Sequence, residues 1–174
     1  MWRTPAVAQE QAIARLRADH RSLLGALDSS GAWTGPYEVA SGPLGDFCET
    51  LHDLAAHVLM WNEISVAVLD EALRGRSHWS LDPRWETPEA GSVLNRAGVA
   101  AGRHLPGVLL THRLGAAHDS LVAILDSKAW RERVLESTTV AGLAHRVMTV
   151  PGQPAFFHAA VHLKQVESLM EATS

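Results

Sequence analysis

The sequence predicts an all-α fold built from four main helices, and three observations support this prediction. Apolar residues recur at intervals of three and four along most of the chain. Thr4 before Pro5 and Thr87 before Pro88 are each a capping residue followed by a proline that suits the first helical position. No segment alternates apolar and polar residues as a half-buried strand does. Helices that each bury one apolar face pack together as a bundle.

The first helix is predicted over residues 5–29. Thr4 is its cap, Pro5 its first residue, and Gly31 follows its end. Its stripe contains a histidine among leucines and an isoleucine: Ile13, Leu16, His20, Leu23, Leu24 and Leu27. The second helix is predicted to open at Leu44 or Gly45 and to continue to Arg74, which makes it the longest element.

The third helix is predicted to begin at the Thr87 cap and to run toward Arg103. Pro106 either kinks it or divides it in two, because an interior proline removes a backbone hydrogen bond and clashes with the preceding turn. The helical pattern resumes after Pro106 and continues to Leu125. A final helix is predicted over residues 154–172.

Composition limits the classes of function. A chain of 174 residues with 47% hydrophobic residues fits one domain spanning residues 1–174. The net charge of -4, with acids and bases interspersed, gives no basic patch for direct nucleic-acid binding. No apolar run is long enough for a membrane span, no signal pattern opens the chain, and the single Cys48 has acidic neighbours. We therefore expect a cytoplasmic protein with no membrane partner and an inert thiol.

Three histidines are candidate metal ligands. His158 and His162 stand four residues apart in the predicted last helix, so their rings project from one face about one turn apart. His57, in the second helix, completes a set of three nitrogens if the two helices face each other. The alternative is that these are separate core histidines, because 10 histidines in one chain make such a spacing unremarkable.

Three tryptophans are candidate walls of a small-molecule pocket. Trp61 lies one turn after His57, and Trp79 and Trp85 lie in the loop that precedes the third helix. The alternatives are that Trp61 is core packing and that Trp79 and Trp85 pin their loop onto the bundle.

A family resemblance rests on three motifs taken in order. His57 is followed four residues later by Trp61; residues 88–96 (PEAGSVLNR) open the third helix; and His158 and His162 are followed by Gln165 and Val166. With this order the chain resembles the DinB-like superfamily of four-helix bundles, and is most similar to its ClbS/DfsB-like branch.

The resemblance implies a divalent ion, zinc or nickel, bound by His57, His158 and His162. Members of the superfamily include thiol-dependent S-transferases and isomerases, and the branch includes a self-resistance protein that opens the cyclopropane of a genotoxic natural product. That protein does not keep all the metal histidines, whereas this chain keeps three.

The implied function is action on a reactive or thiol-conjugated small molecule, by metal-dependent hydrolysis or by transfer of a low-molecular-weight thiol. The catalytic residues are not identified by sequence. Two alternatives stay open: a bundle that sequesters a small molecule without turnover, and an interaction protein that forms a homodimer through an exposed helical face.

Overall fold

The computed structural model describes residues 5–29, 48–85, 87–130, 132 and 162. These residues form four α-helices, which are α1 (Pro5–Ser29), α2 (Leu51–Leu73), α3 (Pro88–Gly102) and α4 (Gly107–Asp126), and two 3-10 turns, at Trp79–Leu81 and Pro83–Trp85. No strand occurs in this part of the chain. The predicted all-α class is therefore confirmed for the described residues.

The ends of α1, α3 and α4 follow the proline signals in the sequence. The observed bounds of α1 match the predicted ones. Thr87 caps α3, because its hydroxyl accepts a hydrogen bond from the Ala90 N–H at 3.2 Å. Pro106 divides the predicted long helix, so that α3 ends at Gly102 and α4 begins at Gly107.

The predicted start of the second helix is wrong. Leu44 and Gly45 lie outside the described residues, but Cys48 and Glu49 are not helical and α2 begins only at Leu51. The Thr50 hydroxyl accepts from the Asp53 N–H at 3.2 Å, and the Asp53 carboxylate accepts from the Glu49 N–H at 3.0 Å. This reciprocal cap fixes the first turn of α2.

Helix α2 is the centre of the packing, with α3 and α4 against it and α1 against α4. Among the described residues the core has two apolar clusters, and α1, α2 and α4 contribute to both. One cluster includes Leu23, Leu27, Leu54, Val58, Leu110 and Leu114. The other includes Ile13, Leu16, Leu69, Leu121 and Leu125. Along these three helices, the half-buried His20 and the buried Asn62 and His118 fall between the two clusters.

Helix α3 runs antiparallel to α2 at close range, because Gly98 faces Met60 and Gly102 faces Ala56. Arg103, the residue after α3, reaches back to the first turn of α2. Its guanidinium donates to both carboxylate oxygens of Asp53, at 3.1 and 2.9 Å. The end of α3 is thus tied to the beginning of α2 by a bidentate, charge-assisted contact.

Among the described helices, none combines the length and the apolar character that crossing a bilayer requires. The predicted last helix lies outside the described residues except for His162, which is helical.

Candidate metal centre

His57 lies in the most buried stretch of α2. Residues 53–59 are all buried, and His57 itself is 1% exposed. Helix α2 begins at Leu51, so His57 stands in its second turn. Its neighbours in the sequence, Ala56 and Val58, both belong to the apolar cluster that contains Leu54.

The residue that meets His57 comes from far along the chain. The ring of His162 packs edge-on against the ring of His57, with centroids 5.2 Å apart and an interplanar angle of 77°. His162 is also buried, with 4% of its surface exposed. The structure therefore brings together two of the three histidines that the sequence predicts as ligands.

The imidazole of His57 carries no charge at ordinary pH. Burial, with the nearby His162 as the smaller cause, lowers the pKa of His57 to about 3. A neutral imidazole keeps a lone pair on one ring nitrogen, which is the form that binds a metal ion.

His158, the third predicted ligand, lies outside the described residues. Within the residues that are described, His, Cys, Asp and Glu side chains form no group of three that could hold a metal ion. The set of three histidines thus remains a prediction, and the contact between His57 and His162 is the part of it that the structure describes.

Two residues of α2 near His57 in the sequence could also be considered as ligands, but they make other contacts. His52 shares a hydrogen bond of 2.8 Å between its Nε2 and the Leu105 carbonyl, in the turn between α3 and α4. The Glu63 carboxylate accepts from the Arg113 guanidinium of α4 at 2.8 Å and is exposed. Asn62, by contrast, is buried.

Trp61 lies at the interface between α2 and α3. Its indole N–H donates to the side-chain oxygen of Asn95 at 2.9 Å, and its ring is half-buried. The hydrogen bond fixes the indole relative to α3. Its predicted role as a pocket wall beside His57 is compatible with this position, since the two residues are one turn apart.

Trp79 and Trp85 pack against each other at the other end of α2. Their ring centroids are 5.0 Å apart with an interplanar angle of 69°, and the residues are 46% and 40% exposed. Leu73, the last residue of α2, is sixteen positions after His57, a rise of about 24 Å, and the loop that carries these tryptophans follows it. The structure brings the two loop tryptophans together and attaches them at the end of α2 remote from His57.

Cys48 fits the expected inert thiol. It is buried, and burial, with Asp53 as a further cause, raises the pKa of its thiol to about 12.

A second histidine pair was not expected from sequence. His20 of α1 and His118 of α4 stack with centroids 4.1 Å apart and planes within 12° of parallel. A signal for it exists, since both histidines occupy positions in the apolar stripe of their helices, flanked one turn away by leucines.

Comparison of the chain with protein-family models, with curated proteins and with solved structures finds no match.

Proposed function

We propose that this chain is a metal-binding, DinB-like four-helix-bundle protein that acts on a reactive or thiol-conjugated small molecule. His57, His158 and His162 hold the ion, which is zinc or nickel. The described helices and the contact between α2 and residue 162 support the bundle, and the ordered histidine and tryptophan motifs support the family.

The separation of the two described rings is the observation on which the metal site rests. A zinc–nitrogen bond of about 2.0–2.1 Å puts the ion about 3.2 Å from the centre of each ligating imidazole. Two rings at a tetrahedral angle then have centres about 5.2 Å apart. The centroids of His57 and His162 are 5.2 Å apart.

The donor chemistry fits as well. Neutral imidazole is a borderline ligand suited to zinc and nickel, and His57 is held neutral by its burial. An ion held by His57, His158 and His162 would supply Lewis-acid chemistry and would lower the pKa of a water molecule or a thiol. The protein's own contribution is to keep both described rings buried and in fixed relative orientation.

The competing interpretation is a metal-free edge-to-face contact, because such contacts span about 4.5–7 Å between ring centres. Metal analysis separates the two. Tag-free protein is loaded with Zn²⁺ or Ni²⁺, desalted and measured by elemental analysis, alongside His57→Ala, His158→Ala and His162→Ala. His112→Ala is the matched control, because His112 is an exposed histidine of α4. We expect one ion per chain in wild type and control and a large loss in the three site variants.

A second function, sequestration of an apolar small molecule without turnover, is favoured by one observation, the exposed aromatic pair Trp79 and Trp85. Incubation of the metal-loaded protein with a low-molecular-weight thiol and an excess of a reactive electrophile distinguishes the two functions. Turnover beyond one equivalent, abolished in His57→Ala, supports the enzyme. A single stoichiometric binding event supports sequestration.

A further inference from the structure

The stacked pair His20 and His118 is a polar contact between α1 and α4. His118 is 9% exposed, and the pair lies between the two apolar clusters. Its geometry differs from that of His57 and His162. Rings that lie face to face direct their nitrogen lone pairs side by side rather than toward a shared point, so this pair lacks the geometry for chelating an ion.

The described residues around the stack offer little negative charge that could compensate a proton on it. His118 Nδ1 lies 3.1 Å from a carboxylate oxygen of the exposed Asp119. Its other nitrogen, Nε2, is buried and has no hydrogen-bond partner among the described residues. On α1, Asp19 is turned to Arg15 of its own helix, at 2.7 Å.

Among the described residues, the charged groups that act on His20 are His118 and Asp119, both on α4. A proton on His20 would therefore place a positive charge against the face of a second imidazole, and the exposed Asp119 is the described carboxylate that offsets it.

We propose that the His20–His118 stack is a proton-sensitive latch, which holds α1 on α4 while His20 is neutral and releases α1 when His20 is protonated. Once α1 has left α4, water solvates the imidazolium, so the released state is the one that takes up the proton. The proposal is independent of whether the His57 site binds a metal ion.

The electrostatics give the direction and the window of the effect. The pKa of His20 is lowered from its ordinary 6.5 to about 4. Burial is the larger cause and the nearby His118 the smaller one, and Asp119 acts in the opposite direction. Because the pKa is lower in the docked state, docking is fully stable above the ordinary value and weakens as the pH falls from 6.5 toward 4. The docking constant falls by at most about tenfold for each pH unit inside that window.

Release of α1 would open the core next to His57. Leu23 and Leu27 of α1 belong to the same apolar cluster as Ala56 and Val58, the two residues that flank His57 on α2. The latch would thus couple proton uptake to access to the interior of the bundle.

Hydrogen exchange of the full chain tests the latch. Amide protection of α1 is measured at about pH 7 and about pH 5, corrected for the intrinsic pH dependence of exchange, in wild type and in His20→Phe. Phenylalanine keeps an aromatic ring against His118 but cannot take a proton. We expect wild type to lose at least about tenfold more α1 protection than His20→Phe over this interval. His112→Phe, at an exposed histidine of α4, should behave as wild type.

Equal loss of α1 protection in wild type and His20→Phe would overturn the proposal. A second measurement uses only the wild-type protein, so it tests the proposal even if His20→Phe folds poorly. The imidazole resonances of His20 are followed by NMR across the same range, and we expect a midpoint well below the ordinary histidine value. A midpoint at that ordinary value would show that the stack does not resist protonation and would also overturn it.

Discussion

Gly102 at the end of α3 lies directly against Ala56 of α2, with no room for a side chain between them. A methyl group added at Gly102 would overlap the Ala56 Cβ and would stand 3.3 Å from its Cα, a backbone atom that cannot rotate away. We expect Gly102→Ala to lower the free energy of unfolding by about 1–3 kcal/mol, measured by urea denaturation.

The control for this prediction is Gly115→Ala on α4, where an added methyl meets nothing within 4 Å. That change should raise stability by up to about 1 kcal/mol, because alanine favours a helix interior more than glycine does. Gly98→Ala is an intermediate case, since the group it meets is the flexible Met60 side chain. Equal effects of Gly102→Ala and Gly115→Ala would contradict the close approach of α2 and α3.

The Asp53–Arg103 contact should contribute more than the exposed ion pairs of the same protein. Asp53 is buried and accepts from both Arg103 and the Glu49 N–H. We expect Asp53→Asn to lower the free energy of unfolding by about 2 kcal/mol, because hydrogen bonds to a charged group are lost. Asp70→Asn breaks an exposed helix pair with Arg74 and should cost no more than about 0.5 kcal/mol.

The same carboxylate predicts a dependence of stability on acid. Burial acts to raise the pKa of Asp53, but the hydrogen bonds from Arg103 and from the backbone outweigh it and hold the pKa below its ordinary 3.8. Because the pKa of Asp53 is lower in the folded state, its ionised carboxylate stabilises the fold at pH values above the ordinary pKa. This stabilisation is lost as the pH falls below that value. Thermal unfolding of wild type and Asp53→Asn should therefore converge at low pH, and parallel curves would refute this role.

Trp61 can be tested as a pocket wall and as a packing residue in one experiment. Trp61→Phe keeps an aromatic ring but removes the hydrogen bond to Asn95, and should cost at least about 1 kcal/mol of stability. If the ring also lines a pocket, Trp61→Ala should weaken binding of an apolar ligand, followed by quenching of tryptophan fluorescence, more than Trp61→Phe does. Loss of stability with unchanged ligand affinity in both variants would assign the residue to packing alone.

Trp79 and Trp85 should be separable from the metal site. They are partly exposed and follow the end of α2, about 24 Å of helix beyond His57. We expect Trp79→Ala and Trp85→Ala to leave metal stoichiometry unchanged, while the double variant loses the quenching signal if this pair contacts the ligand. A fall in bound metal in either single variant would show that the loop reaches the histidines after all.

The sequence predicted helix ends well where a proline marks them and less well where a cap depends on a side chain several residues away. Pro5, Pro88 and Pro106 restrict the backbone locally, so the helix bounds near them could be read from the chain. The start of α2 was missed because apolar residues before Thr50 continue the helical period, while the Thr50–Asp53 cap overrides it. Periodicity alone does not detect that cap.

Prediction of the histidine pairs from sequence is limited for a similar reason, because each pair joins two separate segments of the chain. The contact between His57 and His162 could be predicted only on the condition that their two segments face each other, and in the structure the two rings do meet. The partnership of His20 and His118 depends on the register of α1 against α4, which no spacing within one helix encodes. Interhelical register therefore decides which histidines become partners.

The division of the core into two apolar clusters has a consequence for folding cooperativity. The same three helices cross both clusters, with His20, Asn62 and His118 between them, so each half of the bundle has its own apolar contacts and few are shared. Side chains such as Leu27 and Leu125 belong to different halves. Truncating both should cost nearly the sum of the separate costs, because among the described residues the two side chains belong to separate packing clusters. The described parts of α1, α2 and α4 thus resemble two short bundles in series, and we expect one half to open while the other stays closed.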